Sequence, residues 1–154
     1  MQNNPESRST KPTPAFVTAS WCALGLGAGS FLIGLWYSNM QLNEKGYYLA
    51  VILFGLFASV SLQKSVRDRM EGIKVTEIYY SLCWVSVGAA LSLLVIGLWN
   101  ANLSLETKGF YAMAFALSLY ASVAVQKNIR DLAIHQGAGF PDQGKTEDQE
   151  LPSD

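Results

Sequence analysis

The feature that most restricts this chain is the length of its uncharged apolar runs. Residues 15–37 pass 23 positions without Asp, Glu, Lys, Arg or His, and residues 78–99 pass 22. Residues 46–62 and 109–125 form two shorter runs of 17. A helix rises about 1.5 Å per residue, so about 20 residues cross a hydrocarbon core of roughly 30 Å. Gln63 and Gln126 follow the shorter runs directly and mark where they leave the lipid. The runs are continuous rather than alternating, so the two-sided pattern of a membrane β-barrel is missing. In lipid the backbone must satisfy its own hydrogen bonds, and a helix does this within one segment. A soluble four-helix bundle would need a polar face on each helix, and these runs offer none. Arg8 and Lys11 precede the first run as they would in a secretory signal, but the run is too long for a signal's apolar region.

Shifting the sequence by 63 positions superimposes it on itself without a gap. Ile33-Gly34-Leu35-Trp36 falls on Ile96-Gly97-Leu98-Trp99. Asn39, Leu42, Lys45, Gly46 and Tyr48 fall on Asn102, Leu105, Lys108, Gly109 and Tyr111. Ala58-Ser59-Val60 recurs as Ala121-Ser122-Val123, and Gln63-Lys64 with Arg67-Asp68 recurs as Gln126-Lys127 with Arg130-Asp131. Trp21 and Gly25 match Trp84 and Gly88, and about half of the positions in 33–68 are identical in the second copy. Each unit holds two spans, so both copies enter the membrane from the same side. They are therefore related by an axis along the membrane normal, unlike the inverted repeats of many transporters. The repeat also gives the first run a retained counterpart, which argues against its cleavage as a signal.

The cations sort between the two sides. Arg8 and Lys11 lie in the first tail, Lys64, Arg67, Arg69 and Lys74 around the central connector, and Lys127, Arg130 and Lys145 after the last span. The loops within the hairpins hold only Lys45 and Lys108. The positive-inside rule then predicts cytoplasmic termini and a cytoplasmic connector. The aromatics fit these depths: Trp36, Trp99, Tyr47-Tyr48 and Phe110-Tyr111 toward the outer interface, and Trp21, Trp84, Tyr79 and Tyr80 toward the inner one.

The doubled pattern Gly-Leu-Trp, x-x-Asn-x-x-Leu, Lys-Gly-[Tyr/Phe]-Tyr and Gln-Lys-x-x-Arg-Asp resembles the YiaA/YiaB two-helix family of bacterial inner-membrane proteins. The likeness covers about 14–131, and the motif set recurs twice in order and in register. The resemblance implies a multi-pass inner-membrane protein and brings no established reaction or substrate with it.

Composition excludes several other classes. A net charge of −1 lacks the basic footprint of a nucleic-acid binder. Cys22 and Cys83 lie inside apolar runs, away from any partner at ligand spacing, and read as packing residues. His135, the single histidine, has no catalytic or metal-binding partner in sequence. The spans lack the ionisable groups of proton relays and ion-coupled transporters, and no phosphate loop, HExxH or GxSxG motif is present. We therefore expect no cofactor, no metal and no enzymatic activity.

The recurrent motifs have packing or anchoring explanations. Small residues stand four apart in every span: Gly25 and Gly29, Gly55 and Ser59, Gly88 and Ser92, Ser118 and Ser122. That spacing puts both on one helix face and lets backbones approach closely, either among the four helices of one chain or in a seam between copies. Gly27 and Gly34 add looseness to the first span. In Gln-Lys-x-x-Arg-Asp, Lys64 and Asp68 lie one turn apart, as do Gln63 and Arg67, with the same geometry for Lys127 and Asp131, and Gln126 and Arg130. These residues read as an anchor at a helix C-terminus and an anionic leaflet, or more sharply as a docking site for a partner or lipid headgroup. Asn39, Lys45-Gly46 and their copies Asn102, Lys108-Gly109 suit tight turns.

The expected molecule is an all-α, four-helix transmembrane bundle of two tandem hairpins in the bacterial inner membrane. It comprises a polar tail (1–14), a first repeat (15–69), a connector (70–77), a second repeat (78–132) and an acidic, disordered tail (133–154). Its expected partners are the lipid bilayer and either another copy or another membrane protein. The expected role is structural or accessory. The alternative is a small channel for a neutral solute, lined by Ser30, Ser59, Ser92, Ser118, Ser122 and Tyr120.

Overall fold

The computed structural model describes residues 12–137. Arg8, Lys11, Lys145 and the acidic stretch from Asp142 lie outside those residues, as does the side chain of His135. Four helices follow one another: α1 (Pro14–Tyr37), α2 (Leu42–Met70), α3 (Glu77–Asn100) and α4 (Leu105–Gly137). All four are long and apolar enough to cross a membrane. Both even-numbered helices outrun their uncharged stretches, so the Gln-Lys-x-x-Arg-Asp motifs lie on unbroken helix. In α4 the helix also takes in 133–137, where the polar tail was expected to begin. Leu132, Ala133 and Ile134 present no Pro or Gly to stop it.

The ends are set by local chemistry. Pro14 opens α1 at the position where its missing N–H costs nothing, and Thr13 Oγ1 accepts from the Phe16 N–H at 3.3 Å. The Gln41 N–H donates to Glu44 Oε2 at 2.8 Å, and the Thr107 N–H donates to Ser104 Oγ at 3.3 Å. These residues cap the turns. Lys45 Nζ donates to the Trp36 carbonyl at 3.0 Å and Lys108 Nζ to the Trp99 carbonyl at 3.4 Å. Each lysine thus covers an orphan carbonyl of the preceding helix. Gly72, at φ +75°, turns the chain out of α2 in a conformation that side-chain-bearing residues rarely adopt.

The helices do not pack as two separate hairpins. The long contacts run α1 against α4 and α2 against α3, with α2 against α4 in the middle, while α1 and α2 touch little. Each repeat therefore finds its main partners in the other repeat. Residues 63 apart meet where α2 and α4 cross the pseudo-twofold axis: the Tyr48 and Tyr111 rings stack at 6.0 Å, and Ser59 Oγ lies 3.4 Å from Ser122 Oγ. Around this axis Phe31, Ile52 and Phe115 are almost wholly buried.

The outward faces are as apolar as the interior. Leu26 is 67% exposed, Phe57 72% and Trp99 82%. In water such a surface would aggregate; in lipid it is the solvated side.

Candidate functional site

The polar side chains gather at two ends: a connector end, next to residues 71–76, and a turn end, next to 38–41 and 101–104. At the connector end they follow the pseudo-twofold axis. One turn beyond Ser59 and Ser122 come Gln63 and Gln126, and one turn further come Arg67 and Arg130. Gln63 Oε1 and Gln126 Oε1 are buried without a hydrogen-bond partner.

The two arginines converge on one carboxylate. Arg130 Nη2 donates to Glu71 Oε1, and Arg67 Nε stands 3.9 Å from the same oxygen. Arg67 Nη2 also donates to Asp68 Oδ1 at 3.2 Å, and Lys64 Nζ to Asp68 Oδ2 at 2.8 Å. The bond from Lys64 holds the Asp68 carboxyl below its ordinary 3.8, with Arg67 adding to the effect while loss of hydration opposes it. The same bond raises the Lys64 ammonium. In the second repeat Lys127 and Asp131 pair more loosely, at 3.6 Å. The structure thus brings together Lys64, Arg67, Asp68 and Arg130, with Lys127 and Asp131 one turn apart on α4.

Beside the axis, Asn128 Nδ2 donates to Ser20 Oγ at 3.0 Å, both residues being buried. Their repeat counterparts are Ser65 and Cys83, also buried, and Ser65 Oγ has no partner. Cys83 packs as expected, whereas Cys22 falls on an outward face of α1 and is exposed.

The small-residue pairs divide by helix. On α2 and α4 they pack inside the chain: a Cβ on Gly55 would sit 2.6 Å from the Phe115 ring, Ser118 is fully buried, and Ser59 meets Ser122. On α1 and α3 they do not. Gly25, Gly29 and Gly88 have nothing within 4 Å of an added Cβ, and Ser92 is exposed. For those four residues, packing within the chain is corrected: they lie on the side of each helix turned away from its partner. The closest approach of α1 is instead at Gly27, where a Cβ would stand 2.8 Å from the backbone nitrogen of Ser118.

Of the serines and the tyrosine of the channel alternative, Ser92 and Tyr120 stand apart from the rest. Ser92 and Tyr120 face outward, Ser118 donates to the Ala114 carbonyl at 2.7 Å, and Ser30 donates to the Gly27 carbonyl at 3.1 Å. At the turn end a cleft of about 520 Å³ is lined by Asn39, Asn43, Glu44, Tyr47, Asn100 and Asn102, among others. Among the described residues no group of three His, Cys, Asp or Glu side chains is placed to hold a metal ion.

The sequence matches the yiaA/B two helix domain over residues 16–68 and again over 79–131. The chain belongs to that family. It is 55% identical over 123 residues to inner membrane protein YiaA of Escherichia coli, covering 80% of this chain and 85% of that protein. Inner membrane protein YiaB of the same organism is 28% identical over 98 residues, covering 64% and 83% of the two chains. The uncharacterized membrane protein YubF of Bacillus subtilis is 38% identical over 60 residues, 38% of this chain and 69% of YubF. No solved structure matches. With four apolar helices and these relatives, the chain is a multi-pass membrane protein.

Sequence reasoning passed over Glu71 and Asn128, and read Gly27 as a source of looseness where it forms the closest helix approach. Glu71 had a legible signal: its repeat counterpart is Ile134, so a carboxylate stands where the other copy is apolar.

Proposed function

We propose that this chain is a non-enzymatic structural or accessory protein of the bacterial inner membrane, with both termini and the connector cytoplasmic. It acts through lateral contacts of α1 and α3 with a second copy or another membrane protein. The observation that carries this reading is the open space beside Gly25, Gly29 and Gly88. Membrane helices associate through such small residues because lipid supplies no hydrophobic drive. The interior supports the same reading, since aromatic and aliphatic side chains fill the axis between the serine pair and the turn end. The distribution of cations supports the sidedness.

Cys22 supplies the test. It is exposed on α1, three residues before Gly25, whereas Cys83 is buried. In native membranes of a Cys83→Ser variant, a bifunctional maleimide is expected to trap Cys22 in an adduct, either a dimer or a heteromer. Gly25→Leu should weaken the adduct while leaving expression unchanged. Recovery of the monomer alone would overturn the lateral-contact reading. Sidedness is checked separately with single cysteines at positions 43 and 74: a membrane-impermeant reagent added to whole cells with a permeable outer membrane should label the first and spare the second.

A further inference from the structure

We propose that the connector end of the pseudo-twofold axis is a seat for a tetrahedral oxyanion, a phosphate or phosphate monoester, and that Glu71 is its built-in occupant. Arg67 and Arg130, one from each repeat, point at the same carboxylate oxygen. Arginine's planar fork suits carboxylates and phosphates alike.

Three observations show that Glu71 is a partial fit. It stands at the C-cap of α2, where the helix dipole disfavours a negative charge, so the arginines alone favour it there. Its carboxylate satisfies Arg130 but leaves the buried Nε of Arg67 without a hydrogen bond. Beneath it Gln63 and Gln126 each have a buried, unpartnered amide oxygen, and either amide can turn an N–H toward an anion. A buried polar atom left unpaired forfeits its hydration without recompense, so native structures rarely keep several together. A tetrahedral group presents more oxygens than a carboxylate, so it can accept from Arg67 Nε as well as from Arg130, and its protonated oxygen can donate to an amide oxygen.

Charge agrees with the assignment. Lys64, Arg67, Lys127 and Arg130 face Asp68, Glu71 and Asp131, four cations against three anions. When Glu71 leaves, two net positive charges remain for the ligand. Glu71 can leave because it is 39% exposed and adjoins Gly72, whose backbone is already turned away from the helix. The second repeat has Ile134 at the equivalent position, so one carboxylate serves both arginines. The seat does not depend on which partner α1 and α3 meet.

The test uses full-length protein in an uncharged detergent, with inorganic phosphate as the probe and thermal stabilisation as the readout. Glu71→Gln should bind phosphate about tenfold more tightly than the wild type, the factor expected if Glu71 leaves the seat about a tenth of the time. Adding Arg130→Gln should abolish the gain. Ile134→Glu, which keeps Glu71 and adds a second carboxylate, should lower phosphate binding below the wild type, and it serves if the Glu71 variant folds poorly. Native mass spectrometry from nanodiscs of phosphatidylcholine with and without phosphatidic acid, a lipid phosphate monoester, separates the sources. Retained phosphatidic acid that inorganic phosphate competes away identifies a lipid headgroup; phosphate binding with no retained lipid identifies a soluble anion. Equal phosphate affinity in the wild type and both Glu71→Gln and Ile134→Glu, or a gain that survives Arg130→Gln, would overturn the proposal.

Discussion

The α1–α4 and α2–α3 interfaces are the same interface written twice, and the two copies have been filled differently. Where α1 meets α4, Gly27 lies against Ser118, and Phe31 packs beside Phe115 and Tyr111. The equivalent positions on α3 and α2 are Ala90 and Gly55, Leu94, Ile52 and Tyr48. The two phenylalanines on one side thus correspond to aliphatic residues on the other, and the smallest residue has moved from the odd-numbered helix to the even-numbered one. Gly55 shows why: the Phe115 ring crosses toward α2 and takes the space of its Cβ. Ile52 is smaller than Phe115, and the residue corresponding to Gly55 on α4 is a serine. Symmetry of sequence has been kept in the backbone and abandoned in the fillings.

This comparison can be broken first at Gly27. Its Cβ would meet backbone atoms of α4, which cannot rotate aside, so Gly27→Ala is expected to cost about 3 kcal/mol, the upper end for overpacking. The mirror change Ala90→Gly should cost only about 1 kcal/mol. Steric trapping or reversible unfolding in mixed micelles measures both, and equal costs would show that the interfaces are not differently filled.

Gly55→Ala comes next, at about 2 kcal/mol. Its obstacle is a side chain, so Phe115→Ile, which copies the other repeat, should relieve it. A double-mutant cycle is expected to show favourable coupling of at least about 0.5 kcal/mol, and strict additivity would contradict the crossing of that ring.

The buried polar positions give a smaller contrast. Asn128→Ala breaks the bond to Ser20 and should cost about 1 kcal/mol. Ser65→Ala removes a hydroxyl that has no partner and should be neutral or slightly stabilising.

The smallest effect concerns acid. The Asp68 carboxyl is held below its ordinary value in the folded protein, so its contribution is present above about that value and is lost as pH falls through the lower, folded one. Unfolding followed from neutral pH down to below 3.8 should show the wild type losing stability that Asp68→Asn does not lose.

The spans, the repeat and the family were legible because each rests on long stretches of sequence. The partners of each helix were not. A tandem repeat makes α2 and α4 near-equivalent surfaces, so any pattern on α1 that suits one also suits the other. The small residues misled for a related reason: lipid-facing and buried positions are both apolar, so spacing alone cannot tell which face of α1 turns inward. Gly25 and Gly29 have the spacing and lie outside, while Gly27, read as a source of looseness, forms the tightest approach. Glu71 was less legible because Arg67-Asp68 recurs as Arg130-Asp131, whereas the carboxylate that links the two arginines stands outside the repeated motif.

The crossed pairing of helices has a kinetic consequence. Neither hairpin buries its own faces, so the six residues 71–76 do more than join two finished units. They keep each half within reach of its complement, which makes assembly first-order and independent of how many copies the bilayer holds. A polypeptide of one hairpin, the length over which YubF matches this chain, would instead meet its complement by diffusion in the plane of the bilayer. Cutting this chain within 71–76 should convert its folding to a second-order process, slowed by dilution into excess lipid.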